Sequence, residues 1–253
     1  MKKFLLLLLL PFTVAANPID DNCPQFTVHG APVTHITTQT QYLCKQNYAI
    51  NYRYDTKTAE YVVEHVSNDD VAGTAERADN FHPDTDIPEQ YRSVLSDYAG
   101  HPYDRGHLVP AGDNKQSASI MSESFSLANM VPQVPNNNRG IWNKLEATVR
   151  GWVNSGRDIY VVSGTYYQPG YKVIGNGVGV PTHLWKVVID NTNNQAVAFL
   201  LPNQALPVKD LPKYAMSVAQ LESVVGIDFM PTLTVVGRME IEQPMSLISW
   251  PGL

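Results

Sequence analysis

The sequence predicts an α+β protein built on a largely antiparallel sheet, and three observations lead to that fold class. Short apolar or alternating segments, typical of strands, follow one another across polar turns. Helical periodicity is confined to a few segments, of which 139–153 is the clearest. Strands and helices come in mixed order, without the regular alternation that a parallel sheet needs.

The elements expected in the first half are short and separated by polar loops. Tyrosines and valines alternate with polar residues between 49 and 65, which indicates a hairpin with its turn near Asp55. The stretch 69–89 is polar and contains prolines, so we expect a loop there. The predicted strands are 49–54, 60–65, 103–109 and 125–131, and the predicted helical segments are 89–98 and 117–124.

The longest predicted helix follows three asparagines at 136–138, a residue type that favours a helix N-terminus. Asn154 and Gly156 end this helix. Its apolar residues recur on one side and form a stripe of Ile141, Leu145, Val149 and Trp152. The elements expected further along are strands at 158–163, 183–190 and 196–201 and a helix at 217–225.

The first residues have the pattern of a signal peptide, which we predict to span 1–16. Lys2 and Lys3 precede an apolar run at 4–10, and small residues stand at 14–16. The apolar run is shorter than the roughly 20 residues of a membrane span, and a short N-terminal anchor is the alternative. We therefore expect a periplasmic or secreted protein without a membrane segment in its mature form.

The composition is acidic, with a formal net charge of −6 that becomes −8 when two lysines and no acidic residue leave with the signal peptide. Tight passive binders of DNA present a basic surface, so this balance argues against that class. An enzyme that holds a phosphate briefly needs only a local positive site. The two cysteines, Cys23 and Cys44, predict a structural disulfide in an oxidising compartment rather than a redox or zinc site.

The residues that suggest chemistry lie between 104 and 150. Phosphodiester hydrolysis requires a base, a cation at the phosphate, and groups that hold the remaining oxygens. Histidine suits the base, an amide oxygen suits a hard ion such as Mg²⁺, and arginine matches the geometry of phosphate. The candidates are Asp104, Arg105, His107, Asn129, Asn138, Glu146 and Arg150.

Helix geometry places three of these candidates on one side of the predicted helix. Asn138, Glu146 and Arg150 fan over roughly 120°, beside the apolar stripe. Each candidate also has a structural interpretation. Glu146 and Arg150 could form a surface ion pair, and Asn138 could be only a helix cap. His107 could be a buried core histidine, and we expect Asp104 to be structural.

Five blocks of sequence, in order, resemble the DNA/RNA non-specific endonuclease family, which includes secreted bacterial nucleases and endonuclease G. A single four-residue match is weak, whereas five blocks in order are specific. The resemblance covers about 48–231, and the segment with both cysteines has no counterpart in it. The blocks are Asp-Arg-Gly-His at 104–107, Ala-Asn-Met-Val-Pro-Gln at 128–133, Asn-Arg-Gly-Ile-Trp-Asn-Lys-Leu-Glu at 138–146, Val-Val-Ser-Gly-Thr-Tyr-Tyr at 161–167 and Val-Pro-Thr-His-Leu-Trp-Lys-Val at 180–187.

The resemblance implies a ββα-metal fold and a metal-dependent mechanism. His107 would be the general base that activates water. Asn138 would be the one direct protein ligand of Mg²⁺, with Mn²⁺ as an alternative ion. Glu146 would orient a water on that metal.

The resemblance also implies how the substrate is held. Arg105 and Arg150 would contact the phosphate, and Arg77 is the candidate for a further substrate-binding arginine. Asn129 would support the site through hydrogen bonds. The implied substrates are DNA and RNA, cut with little sequence preference to leave 5′-phosphates.

The predicted organisation is a signal peptide, 1–16, an N-terminal extension with the disulfide, 17–46, and a nuclease domain, 47–253. Two other functions stay open, namely a non-catalytic nucleic-acid-binding protein on a nuclease-like fold and a metal phosphodiesterase acting on small substrates. The sequence contains no motif of proteases, nucleoside triphosphatases or serine hydrolases. Nothing in it indicates a protein partner.

Overall fold

The computed structural model describes residues 17–35, 37–243 and 246–253, so the predicted signal peptide lies outside the described residues. The strands are, in chain order, β1 (Val33–Thr34), β2 (Thr40–Cys44), β3 (Ala49–Arg53), β4 (Thr58–Val66), β5 (Asp104–His107), β6 (Met130–Gln133), β7 (Ile159–Tyr166), β8 (Val173–Ile174), β9 (Val178–Gly179), β10 (His183–Asp190), β11 (Gln195–Pro202), β12 (Ala215–Met216) and β13 (Ile227–Asp228). The α-helices are α1 (Pro18–Asn22), α2 (Asn68–Ala72), α3 (Leu95–Tyr98), α4 (Ala118–Glu123), α5 (Asn143–Asn154), α6 (Val218–Val225) and α7 (Val235–Ile241). No helix among the described residues is long and apolar enough to cross a membrane.

Seven strands form one antiparallel sheet, which confirms the predicted α+β fold class. Their order is β12-β11-β10-β7-β4-β3-β2, and every neighbouring pair is antiparallel. The predicted hairpins are present as β3–β4 and β10–β11. Side chains alternate between the two faces, so β10 directs Leu184 and Val188 to one face and Trp185 and Val187 to the other.

Apolar layers cover both faces of this sheet. The predicted stripe of α5 packs on one face, where Leu145, Val149 and Trp152 are buried. Helices α1, α6 and α7 cover the other face and bury Ile19 and Leu221, among others. Since apolar side chains cover most of both faces, the solvent-accessible polar groups of the α5 layer lie at its edge, where the helix begins.

The predicted N-terminal extension, 17–46, takes part in this architecture. Strand β2 pairs with β3 over five residue pairs, and α1 buries Ile19 in the second apolar layer. The predicted disulfide between Cys23 and Cys44 is present and joins the end of α1 to the edge strand. A domain boundary at residue 47 stays a prediction.

Two predicted segments around the site differ from the structure. The strand predicted at 125–131 is wrong in its first part, because a 3₁₀ turn at Leu127–Asn129 precedes β6. The Ser126 hydroxyl accepts the N–H of Ala128 and holds that turn. The helix predicted at 139–153 begins instead as a π-helical segment, Asn137–Trp142, and becomes α-helical only at α5. Apolar periodicity shows which side of a helix is buried, but it does not specify the hydrogen-bond pattern of the first turns.

The helix predicted at 89–98 is also shorter in the structure, where only α3 is helical. The N–H groups of Tyr91 and Arg92 donate to the Pro88 carbonyl in a separate turn. The Asp97 carboxylate then accepts the N–H of Val94 at 2.8 Å and starts α3 there. Local capping thus splits a segment whose composition favours one helix.

Candidate active site

A short two-stranded ribbon carries the Asp-Arg-Gly-His block. Strands β5 and β6 are antiparallel, with Asp104 opposite Gln133 and His107 opposite Met130. A Cβ at Gly106 would lie 2.0 Å from Gln133 Oε1 and 2.8 Å from Gln133 Cβ. Only glycine therefore lets the Gln133 side chain lie across β5, and this contact fixes the strand that carries His107.

Buried amides hold the segment that leads from β6 into the helix. Gln133 Nε2 donates to Asn137 Oδ1 at 2.8 Å. Asn137 Nδ2 donates in turn to the carbonyls of Pro202 and Gln204 at 2.9 and 3.0 Å. These bonds tie the π-helical segment to the end of β11 and bring Asn138 beside β5.

Asp104 orients the amide of Asn138. Asn138 Nδ2 donates to Asp104 Oδ2 at 2.9 Å, and the Arg139 guanidinium donates to both oxygens of the same carboxylate at 2.8 and 2.6 Å. Burial alone would raise the pKa of Asp104, but the hydrogen bonds from Arg139 and Asn138 hold it below its ordinary value. Because Nδ2 is committed to Asp104, the oxygen Oδ1 of Asn138 is left without a donor among the described residues.

His107 lies at the floor of the site, 8% exposed. Phe125 packs edge-on against its ring with the centroids 4.8 Å apart, and the Trp142 indole donates to its carbonyl at 3.2 Å. Its Nε2 is enclosed and has no hydrogen-bond partner in the described part of the chain. Burial, and after it the positive charge of Arg77, lower the pKa of His107 to about 3. The imidazole is therefore neutral at neutral pH, as a base must be.

Aromatic rings and one carboxylate hold the three arginines that sequence analysis selected. The Arg105 guanidinium lies 4.1 Å from the Phe81 ring centroid, and that of Arg77 lies 4.8 Å from the Phe125 centroid. Arg150 Nη1 donates to buried Asp113 at 2.8 Å. The surface ion pair considered as an alternative for Glu146 and Arg150 is absent from the ion pairs of the described residues, since the guanidinium binds the buried aspartate instead.

Glu146 is partly buried on the first turn of α5. Burial raises the pKa of this carboxyl to about 7; Lys186 and Arg150 oppose the shift, whereas Asp113 adds to it. A carboxyl with that pKa gains its charge readily when positive charge approaches. It is therefore suited to accept hydrogen bonds from the waters of a cation.

These side chains meet at one cavity of about 460 Å³. The chain as a whole is acidic, yet its cavity concentrates arginines, so it has the local positive site that a phosphate requires. Six of the seven predicted site residues line this cavity: Arg77, Arg105, His107, Asn138, Glu146 and Arg150.

Asn129 is the predicted site residue that does not line the cavity. It is fully buried, and its Oδ1 accepts the N–H of Val109 at 2.9 Å. Its Nδ2 donates to the carbonyls of Val109 and Ser124, both at 2.9 Å. Its amide holds the backbone that follows His107. The expected role of Asn129, support of the site through hydrogen bonds, stays a prediction.

Buried charges that were not among the predicted site residues lie beneath the cavity. Lys186 is 1% exposed, and its ammonium donates to Ser163 and lies 4.9 Å from the Trp142 ring centroid. Burial lowers the pKa of Lys186, against the opposing effect of Glu64 and other carboxylates. Burial likewise raises the pKa of Glu64 well above its ordinary value. A charged residue at a core-facing position of β10, between Leu184 and Val188, is the signal that could have revealed this cluster.

Oxygen atoms that could ligate a hard divalent cation line the cavity. The free Oδ1 of Asn138 and the carboxylate of Glu146 are oxygen ligands of the kind that Mg²⁺ prefers. A second acidic group, Glu222, Asp228 and Glu242, lies elsewhere among the described residues. The guanidinium of Arg238 already donates to Asp228 and Glu242 there, so these carboxylates clamp α7 rather than await an ion.

The ribbon, the helix and the cavity together define a class of protein. A strand pair followed by a helix, with histidine on the first strand and asparagine at the start of the helix, is the ββα arrangement of metal-dependent nucleases. A crystal structure of the EndoG/EndoGI complex matches this fold with a TM-score of 0.77 and 27% identity, over 90% of this chain and 96% of that one. The predicted ββα-metal fold is thus confirmed.

The chain belongs to the DNA/RNA non-specific endonuclease family, whose model matches residues 27–235. Mitochondrial nuclease EXOG of Homo sapiens is 35% identical over 215 residues, which are 78% of this chain and 58% of that protein. EXOG of Xenopus laevis is 37% identical over 81% of this chain and 61% of its own. A nuclease of Nostoc sp. is 33% identical over 89% and 88%. The chain thus spans less than two thirds of the EXOG relatives but most of the Nostoc protein.

Proposed function

We propose that this chain is an exported, metal-dependent endonuclease that hydrolyses phosphodiester bonds of DNA and RNA. One observation carries the proposal: a neutral histidine and an asparagine oxygen without a donor line the same arginine-rich cavity. The family and the names of the relatives support nucleic acids as the substrates. Phosphates carry no sequence information, so an enzyme that contacts mainly phosphates should show little preference for particular bases.

The residues of the cavity divide the work of hydrolysis. His107 takes the proton of the attacking water, and because Nε2 is enclosed, the accepting atom is Nδ1. Arg77, Arg105 and Arg150 hold the phosphate oxygens and offset their charge. Water enters at phosphorus and the 3′-oxygen departs, so the products carry 5′-phosphates.

The site fits Mg²⁺ or Mn²⁺, which Asn138 would hold directly and Glu146 would hold through water. When bound, it supplies positive charge at the phosphate and at the departing oxygen. Asp104 keeps the Asn138 amide turned so that Oδ1 stays available as the ligand.

Export is supported by the leader pattern at 1–16 and by the disulfide Cys23–Cys44. Disulfides persist in oxidising compartments, which include the periplasm and the medium. Fractionation of expressing cells tests this part. A protein that keeps residues 1–16 and stays in the cytosol would contradict it.

The catalytic proposal is tested on supercoiled plasmid and structured RNA, with and without EDTA. We expect both to be degraded, EDTA to stop cleavage, and added Mg²⁺ to restore it. His107→Ala should slow cleavage by at least ~100-fold, the usual contribution of a general base. His183→Ala is the control, because His183 is a partly buried histidine that does not line the cavity. Cleavage that survives chelation, or an unchanged rate in His107→Ala, refutes the mechanism.

A further inference from the structure

A second cavity, of about 440 Å³, adjoins the candidate active site. The side chains of Arg77, Arg105, Asn138 and Arg139 line both cavities and form the wall between them. Asp104 holds the Arg139 guanidinium in this wall, although that side chain is 72% exposed. A phosphate bound at the wall would therefore have the catalytic residues on one side and the second cavity on the other.

Beyond this wall the lining adds three aromatic rings, two aliphatic side chains and the carboxylate of Asp104. The side chains there are those of Phe81, Leu95, Tyr98, Ala99 and Tyr103. Tyr98 is buried and its hydroxyl donates to the Met130 carbonyl at 3.3 Å. Leu95 is 44% exposed. We call this space the Tyr103 cleft.

Tyr103 is the aromatic ring of the cleft that is available to a ligand. The Arg105 guanidinium already covers one face of Phe81, and Tyr98 is buried. Tyr103 is only partly buried, and its hydroxyl has no hydrogen-bond partner among residues 17–35, 37–243 and 246–253. Proteins that bind single-stranded nucleic acids combine aromatic rings with arginines. The bases stack on the rings, and the phosphates contact the guanidinium groups.

We propose that the Tyr103 cleft binds the unpaired nucleobase of a nucleotide next to the scissile phosphate. The proposal rests on the proposed function, because it needs a phosphodiester in the first cavity. The cleft suits any base, since stacking uses the π-face that all bases share. Its carboxylate, Asp104, already accepts from Asn138 and Arg139 and has little left to select one base by hydrogen bonding.

The base must be unpaired, because a base within a duplex would first have to leave its stack. Single-stranded DNA and RNA loops should consequently be better substrates than duplex DNA of the same sequence. The cleft would thus set a preference for strandedness without setting one for sequence.

The experiment moves one abasic residue along a single-stranded DNA oligonucleotide that the wild-type protein cleaves at mapped positions. At one position next to the cleaved bond, loss of the base should lower kcat/KM on the order of tenfold, the usual effect of losing one stacked base. Abasic residues elsewhere should have little effect. Equal cleavage at every abasic position overturns the proposal. A protein that cleaves no nucleic acid overturns the proposed function itself, and this inference falls with it.

Variants of Tyr103 connect the effect to the cleft. Tyr103→Ala should lower kcat/KM on the intact oligonucleotide by a similar factor, and the abasic residue should then cause no further loss. Tyr103→Phe should retain the wild-type difference between intact and abasic substrates. Tyr160→Ala is the control, because that tyrosine is also partly buried but packs on the opposite face of the sheet. If Tyr103→Ala slows intact and abasic substrates equally, the ring has only a structural role and the proposal is wrong.

Discussion

The carboxylate of Asp104 determines which atom of Asn138 faces the cavity. It accepts Asn138 Nδ2 at 2.9 Å and is itself held by two hydrogen bonds from Arg139. Sequence analysis expected Asp104 to be structural. The structure gives that role a chemical consequence, because a fixed amide presents its oxygen without a cost in rotamer freedom.

Replacing Asp104 should therefore weaken the metal site. In Asp104→Ala we expect the Mg²⁺ concentration for half-maximal nuclease activity to rise about tenfold, as is usual when the partner of a metal ligand is lost. Titration of activity with Mg²⁺ measures the effect. Asp55→Ala is a matched control, since Asp55 also binds an arginine, Arg53, through both carboxylate oxygens. An unchanged Mg²⁺ requirement in Asp104→Ala would show that Asn138 needs no such support.

At the scale of elements, the close contact between β7 and β10 restricts one position of β7 to glycine. A Cβ at Gly164 would lie 2.2 Å from Trp185 Cζ2 and 2.3 Å from the carbonyl oxygen of Glu60. Trp185 in turn donates its indole N–H to the Thr165 carbonyl at 3.1 Å. The strand therefore continues through Gly164 to Tyr166, beyond the end that the sequence indicated at 163.

Two glycine-to-alanine substitutions should have opposite effects on stability. In Gly164→Ala the new methyl group would push against the Trp185 indole and the Glu60 backbone. This substitution should lower the free energy of unfolding by about 2 kcal/mol. Gly151 occupies an exposed position of α5, with nothing within 4 Å of a new Cβ, so the better helix propensity of alanine should raise the free energy of unfolding by about 1 kcal/mol. Urea unfolding measures both. A stable Gly164→Ala variant would mean that the two strands separate easily.

The clamp between α6, β13 and α7 makes stability depend on pH. Burial, and then the charges of Glu242 and Asp228, raise the pKa of Glu222 to about 7, although the N–H of Phe229 donates to its carboxylate. The folded protein thus binds more protons than the unfolded chain between about pH 4.5 and 7. The stability that this group contributes is complete below that window and is lost as pH rises through 7.

Glu222→Gln removes this dependence and keeps an acceptor for Phe229. Because Glu222 is only half-buried, we expect a gain of roughly 1 kcal/mol at pH 8.5, and no gain at pH 4.5. Unfolding in urea at the two pH values measures the difference. Glu240→Gln, at an exposed position of α7, should have no such effect. A gain of equal size at both pH values would contradict the assignment to Glu222.

At the scale of the whole molecule, two apolar layers enclose one sheet, and a covalent link fastens the N-terminal segment to its edge. The disulfide spans 21 residues, from Cys23, which is buried, to Cys44 of β2, which is exposed. The active-site cavity lies on the opposite layer from α1. The disulfide should therefore stabilise the fold and have little effect on the arrangement of the side chains that line the cavity.

Removal of the disulfide tests that division. The double variant Cys23→Ala and Cys44→Ala should lose roughly 3 kcal/mol in the free energy of unfolding, the value expected for a loop of this length. Its nuclease rate below the unfolding transition should stay close to that of the wild type. Reductant should destabilise the wild-type protein but not the variant. A loss of activity in folded variant would show that the N-terminal segment shapes the site.

The sequence by itself determined the features that depend on neighbours along the chain. Alternation in β3, β4, β10 and β11 gave the sheet, and the apolar stripe gave the buried side of α5. The five matching blocks gave the family and four of the six predicted residues that line one cavity. Each of these signals lies within a short window of sequence, where spacing and composition are informative.

Tertiary structure alone decided the contacts between residues far apart in the chain. One example is the hydrogen bond from Asn138 to Asp104, and another is the contact of the Lys186 ammonium with the Trp142 ring. A third is the wall that the candidate active site shares with the Tyr103 cleft. The hydrogen bonds of Asn129 belong to the same kind of contact, because they reach back across 20 residues to Val109. Such contacts depend on how strands and helices pack against one another, which the local periodicity of the sequence does not specify.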